Sequence, residues 1–395
     1  MRYISRLHLV SIGLAIFSML FGAGNLLYPL MVGVSSGTHT PFGLLGFLLT
    51  SVCLPIAGLI AMILFEGNYR EFFNRLGTWP GQAFLFICIA GIGPIIGIPR
   101  TVTLSHTMIA PFIPFTHLQA MDYYSCFLFA LIFLTITFFV TFKENRIIDI
   151  LGYIISPLLV ISLLIIIAEG LFSMHEVVAT TATQAQAFSM NLLRGYETLD
   201  LLACIFFSSI VIHILKNTVG NKISYSHNAL ALIGFKAGTI GVALLGVMYI
   251  GLSILGMYHS HGLEHANAGE ILQMISFKIL GRHGALLIGT AVLMACLSTA
   301  IALSAVFAEY IQYTLSRNRI GYIPSLALTL MLCLPLATFG LTQILSLTAG
   351  PILYIGYPVL ITLTFCNIAY KLFGFKWVKI PVLLTLVIAV FSYVH

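Results

Sequence analysis

Phe21-Gly22-Ala23-Gly24-Asn25, with Tyr28-Pro29 just beyond it, interrupts an apolar run that extends over roughly residues 8–33. The run is long enough to cross a bilayer, which takes about 20 mostly apolar residues. Two glycines, an asparagine and a proline are poor helix formers at a depth where every backbone N–H and C=O needs a partner. In hydrocarbon such a break persists only where protein surrounds it or where it lines a cavity. A GxG alone reads more simply as a kink or a close-packing surface. Asn25 adds a side-chain oxygen suited to a cation, which turns the reading toward a binding site.

The rest of the chain carries the same solvent signature. Of 395 residues, 59% are hydrophobic and 8% charged, where a soluble domain carries about 25% charged residues. So little polar surface cannot coat a water-soluble globule, and lipid must cover much of it. Hydropathy marks eleven spans: 8–33, 42–65, 82–110, 122–142, 147–171, 195–215, 228–257, 284–310, 321–339, 343–367 and 377–393. The longer connections, 172–194 and 258–283, are expected to hold short helices at the membrane surface. With a cytoplasmic N-terminus, fourteen of the eighteen Lys and Arg fall on the inner side. Only Arg194, Lys278 and Arg282 fall outside, and Arg100 lies within a span. The positive-inside bias therefore sets the N-terminus inside and His395 outside, and it accounts for the net charge of +6 without a nucleic-acid partner. The start, MRYISRLHLV, has the look of a secretory leader, but no small-residue cleavage site follows, and we read it as the first membrane helix. Seven cysteines, all in or beside apolar segments and without a CxxC pair, read as small buried hydrophobes rather than a disulfide framework or zinc site.

Other polar interruptions fall at related positions. Helix 6 carries Ile205-Phe206-Phe207-Ser208-Ser209 in mid-span. Such serines often bond back to their own helix. Yet helices 1 and 6 open the first and second sets of five, and broken helices at corresponding positions point to a transporter's binding site. In helix 8, Ala295, Ser298 and Thr299 share a face at i, i+3 and i+4, one carbonyl and two hydroxyls that suit a hard monovalent cation. Helix 3 holds Gly91-Ile-Gly-Pro94 and Pro99-Arg100-Thr101, where the prolines should distort the helix. Arg100, an intramembrane cation, calls for a named partner. Asp200 or Glu197, entering from outside at similar depth, is expected to pair with it in a gating or structural role. His259, His261, Glu264 and His265 in an outer loop read as polar loop residues before they read as metal ligands. No GxxxxGK, HExxH or GxSxG motif is present, so neither an ATPase pump nor a familiar enzyme is indicated.

Taken together, these segments resemble the branched-chain amino acid carrier family, the branched-chain amino acid:cation symporters. The resemblance rests on Phe21–Asn25 with Pro29, Gly93-Pro94 with Pro99-Arg100-Thr101, and Gly195-Tyr196 with Thr198-Leu199-Asp200. It continues through Ala295-Cys296-Leu297 with Thr299-Ala300 and Ala308-Glu309, and through Thr342-Gln343-Ile344 with Tyr357-Pro358, in order over nearly the whole chain. It implies an all-α polytopic fold of the leucine-transporter type. Two inverted five-helix repeats would occupy 1–172 and 173–367, with a further helix in 368–395 and helices 1 and 6 discontinuous. It implies that Ala23 and Gly24 offer N–H groups to a substrate carboxylate. Phe207 and Ser208 would meet the amino group or side chain, with Asn25 beside the substrate or a second cation. It implies a sodium ion between Ser18 and Phe21 on helix 1 and Ala295, Ser298 and Thr299 on helix 8. Family members usually show twelve spans where this chain shows eleven, and many carry a glycine where Ser208-Ser209 stands.

The function expected is import of leucine, isoleucine or valine by a symporter of the plasma (inner) membrane, coupled to sodium and needing no cofactor besides that ion. Methionine or alanine as substrate, proton coupling through Glu309, and a channel are the alternatives. The neutral oxygens of helix 8 favour sodium over protons.

Overall fold

The computed structural model describes residues 6–119, 121–142, 156–174, 176–177, 180–208, 227–259, 261, 263 and 266–394, and all regular structure among them is helical. The first span is α1 (Arg6–Leu20) and α2 (Ala23–Ser36), separated by Phe21 and Gly22. The second is α3 (Thr40–Leu48) joined through a π-helical turn, Leu49–Cys53, to α4 (Leu54–Leu64). After the short α5 (Tyr69–Asn74), the third span runs as α6 (Thr78–Ala90), a π-turn Gly91–Ile95 and α7 (Gly97–Ile109). Then come α8 (Tyr123–Thr141), α9 (Ser156–Phe172), α10 (Gln184–Arg194), α11 (200–208), α12 (His227–His259) and α13 (Ala268–Glu309). The chain ends with α14 (Tyr322–Ala337), α15 (Leu341–Thr348), α16 (Pro351–Phe373) and α17 (Lys379–Val394).

Local chemistry explains several boundaries. Asp122 caps α8 by accepting from Ser125 N at 2.8 Å, and Asn267 caps α13 while Glu270 bonds back to Asn267 N at 3.0 Å, each satisfying N–H groups a helix start leaves open. Gly374, left-handed at φ 73°, closes α16. Both longer connections contain helix: α10 in one, and in the other the opening turns of α13, which turn into the span at Gly281 (φ 63°, ψ −169°).

Six helices among the described residues are long and apolar enough to cross a membrane, and shorter apolar helices run over Leu9–Leu20, Pro157–Phe172 and Lys379–Val394. All eleven expected spans contain helix, although 147–155 and 209–215, with Ser209, lie outside the described residues. The expected span 343–367 is divided. Its first turns belong to α15, which bends 106° from α14, and the crossing helix is α16. Gly350-Pro351 explains the division, because proline at the first helical position starts a helix and cannot continue one. Of the metal-like loop cluster, His259 is buried with Nε2 2.9 Å from Gly170 O, while Glu264 and His265 lie outside the described residues.

The interior is built around two long contacts, α2 along α12 and α7 along α13. At the first, a Cβ on Gly33 would collide with Ser253 O, and one on Gly256 with Leu30 O, so only glycine lets these backbones approach. The outward faces are apolar. Leu383, Val387, Ile388 and Phe391 of α17 are all exposed, as lipid rather than water demands. Six cysteines are buried, and Cys53, in the π-turn of the second span, is exposed.

Candidate functional site

The break in the first span frees the atoms that make the site. Gly22 N, which would close a helical turn on Ser18 O, donates instead to Asn25 Oδ1 at 3.2 Å. Asn25 N turns to Gly22 O at 3.2 Å and leaves Phe21 O. Two carbonyls at the C-terminal end of α1 are thus released, where the helix dipole is negative. Helix α13 brings two hydroxyls to them. Ser298 Oγ lies 3.3 Å from Ser18 O and 2.8 Å from Ala295 O, and Thr299 Oγ1 lies 3.5 Å from Phe21 O. The two inter-helix contacts are long for hydroxyl hydrogen bonds, and Ser18 Oγ is buried without a partner. All five residues expected around a cation, Ser18, Phe21, Ala295, Ser298 and Thr299, are therefore gathered in one buried, oxygen-rich cleft of neutral donors. That chemistry fits a hard monovalent ion.

Beside the cleft is a small pocket with about 20 Å³ of free space, room for about one water. Gly22, Ala23 and Asn25 from the break, Ile92 and Gly97 from the distorted third span, Ala203 and Phe207 from α11, and Thr299 and Leu303 from α13 line it, with Arg100, Thr101, Thr198 and Asp200. The distortion of the third span is the one Pro94 foretells: Gly93 leaves the helical region at ψ −107°. Pro99 does no such damage, since it sits in the first turn of α7.

Asp200 is 1% exposed and held by two long-range partners. Oδ1 accepts from Asn25 Nδ2 at 2.6 Å and Oδ2 from Tyr249 Oη at 2.6 Å, and Asn25 Nδ2 also donates to Tyr249 Oη. Leu199, left-handed at φ 64°, turns the chain from the 3₁₀ turn Gly195–Thr198 into α11, and Leu201 N at the start of α11 donates to Tyr357 Oη at 3.1 Å.

Arg100 meets Glu197 through its backbone rather than its carboxylate. Nη1 donates to Glu197 O at 2.7 Å and Nη2 to Thr198 O at 3.4 Å, and the guanidinium lies 5.8 Å from the Tyr28 ring centroid. Neither carboxylate lies within ion-pair distance of it among the described residues. The left-handed turn at Leu199 explains the choice, because it ends the 3₁₀ turn and leaves carbonyls for the guanidinium to cap.

Of the expected substrate contacts, Ala23, Asn25 and Phe207 line the cavity. Gly24 backs onto the guanidinium, where a Cβ would come within 2.8 Å of Nη2. Ser208 turns away and donates to Ile205 O at 2.6 Å. The sequence reading missed Tyr249, Thr101, Thr198 and Leu303. A tyrosine in the apolar run of α12 carries no local signal, and only its contact with Asp200 reveals it.

Comparison with known proteins follows the same lines. A family model described as "Branched-chain amino acid transport protein" matches residues 5–395. The branched-chain amino acid permease BraB of Bacillus subtilis is 30% identical over 367 residues, covering 92% of this chain and 80% of that protein. A solved structure of a mutant manganese transporter from Eremococcus coleocola matches with a TM-score of 0.61 at 13% identity, covering 99% of this chain and 87% of that one. The structure of MhsT in complex with L-phenylalanine matches with a TM-score of 0.56 at 16% identity, covering 99% of both chains. At such identities the likeness is one of fold, and the fold is the leucine-transporter type expected from the sequence.

Proposed function

We propose, from the premise that this chain belongs to the branched-chain amino acid transport protein family, that it imports leucine, isoleucine and valine as a sodium-coupled secondary transporter. The observation that carries the proposal is the released pair Ser18 O and Phe21 O facing Ser298 and Thr299 across the break, directly beside a pocket walled by apolar side chains together with Arg100 and Asp200. An ion there would link α1 to α13, and an amino acid next door would link α2 to α11. Filling both would favour the closed state that commits them to passage. Residues 1–172 and 173–367 would form the two inverted repeats, and one bundle of helices would rock against the other to alternate access. The protein would sit in the plasma (inner) membrane with its N-terminus in the cytoplasm.

Proton coupling is the second reading, favoured by the buried Asp200 carboxylate in the cavity wall, since proton relays need an ionisable group inside the bundle. Purified protein in liposomes, given labelled isoleucine under imposed sodium or proton gradients, separates the two. Sodium-driven, saturable uptake is expected. Ser298→Ala with Thr299→Ala should raise the sodium needed for half-maximal uptake at least about tenfold, which corresponds to about 1.4 kcal/mol. Uptake driven by protons alone overturns the sodium assignment. Uptake of no neutral amino acid by folded protein overturns the transporter.

A further inference from the structure

The connections from α5 to α6 and from α16 to α17 enclose an open pocket with about 560 Å³ of free space, enough for a small polar group. Arg75, Lys376 and Lys379 line it, and the carboxylate in its wall, Glu71, is paired with Lys371 at 3.1 Å. Among the described residues, no carboxylate lies within ion-pair distance of those three cations. The Arg75 guanidinium is stacked 3.6 Å from the centroid of the Tyr370 ring, and its buried Nε has no hydrogen-bond partner. A guanidinium fixed in this way with open donors matches the oxygens of a phosphate. Helix α17 begins at Lys379, so the positive end of its dipole falls in the same wall. Both tryptophans of the chain stand at this edge: Trp377, in the pocket wall, is 69% exposed, and Trp79, two positions past Gly77 of that wall, is 86% exposed. Phe373 and Ile380 beside Trp377 are exposed as well. Exposed tryptophan among basic residues marks a membrane–water interface, and the exposed apolar face of α17 starts here. A soluble anion would need no such rim, whereas a lipid headgroup carries its acyl chains along it.

We propose that this pocket is a binding site for the phosphate of an anionic phospholipid. Arg75, Lys376 and Lys379 receive the phosphate and its headgroup, while Trp377, Ile380 and the exposed face of α17 lie along the first acyl carbons. Basic pockets between membrane helices take acidic headgroups in this manner. A bound lipid ties α17, the last helix, to the connection that leads into the third span. The site is independent of the substrate and of the coupling ion. It lies on the side that the charge distribution assigns to the cytoplasm, which makes the lipid one of the inner leaflet. An inverted topology would move that lipid to the other leaflet without touching the site, so the two readings fail separately.

The two tryptophans are a built-in reporter for the test, which uses the full-length protein in phosphatidylcholine vesicles. Phosphatidylglycerol brominated high on its acyl chains should quench tryptophan fluorescence at a mole fraction at least about tenfold lower than equally brominated phosphatidylcholine, as three basic side chains at the surface require. Arg75→Gln with Lys376→Gln and Lys379→Gln should make the two lipids quench alike. Arg317→Gln with Arg319→Gln, which removes two charges from the connection before α14, should leave the preference intact. Equal quenching by both lipids in the wild-type protein overturns the site, whether or not the triple variant folds. A preference that survives in the triple variant, or that disappears in the Arg317 and Arg319 variant, belongs to general surface charge and overturns the site. Reversal of quenching by inorganic phosphate or glycerol 3-phosphate as readily as by unbrominated phosphatidylglycerol makes it a site for a soluble anion and overturns the lipid.

Discussion

At Gly22 an added methyl group would lie 3.0 Å from both Cγ2 and Oγ1 of Thr299, closer than side-chain contacts ordinarily come. The backbone there, at φ −110°, suits any residue, so substitution acts through Thr299 alone. Gly22→Ala should raise the sodium needed for half-maximal uptake, and Thr299→Ser, which removes the methyl, should restore part of it in the double variant. Gly22→Ala with unchanged sodium dependence would place the ion elsewhere. Tyr249→Phe deletes a donor to a buried carboxylate and should cost about 1.5–3 kcal/mol, read as a fall in melting temperature without ligand. The sequence made much of this site legible, because Asn25, Ser298 and Thr299 are polar where their neighbours are apolar. It could not show the partners of Asp200, which stand 175 and 49 positions away. Nor could it show what Arg100 caps, because the acceptors are carbonyls, present in every residue and freed only by the turn at Leu199.

The helices themselves were legible wherever a long apolar run met a strong breaker. The interruption of the first span and the distortion of the third both follow from glycine and proline at mid-membrane depth. The division of the tenth expected span escaped notice because hydropathy alone does not distinguish α15, folded back at 106°, from the crossing helix after it. The π-turn in the second span had no marker beyond Pro55, which begins the helix that follows it. Between α2 and α12, Gly33 and Gly256 bring two backbones together so closely that they should move as one body. Gly33→Ala must part them and should destabilise the fold by about 1–3 kcal/mol or more. An unchanged melting temperature would mean that this contact is not held as described.

The molecule as a whole presents apolar faces outward and gathers its polar groups around the breaks, the reverse of a soluble protein. Its sidedness follows from charge distribution and can be read directly. A reporter enzyme that works only outside the cell should be active when fused after Ala266 and silent when fused after Asn318, and the opposite pattern would invert the topology. The cysteines add a further consequence. None of the seven lines the cavity, six are buried and the seventh lies in a span, where hydrocarbon excludes a charged reagent. The natural chain is therefore a quiet background for thiol labelling. A single cysteine placed at Ala203 or Leu303 would report, through its reaction with an impermeant maleimide from either side, which doorway to the cavity stands open at a given moment.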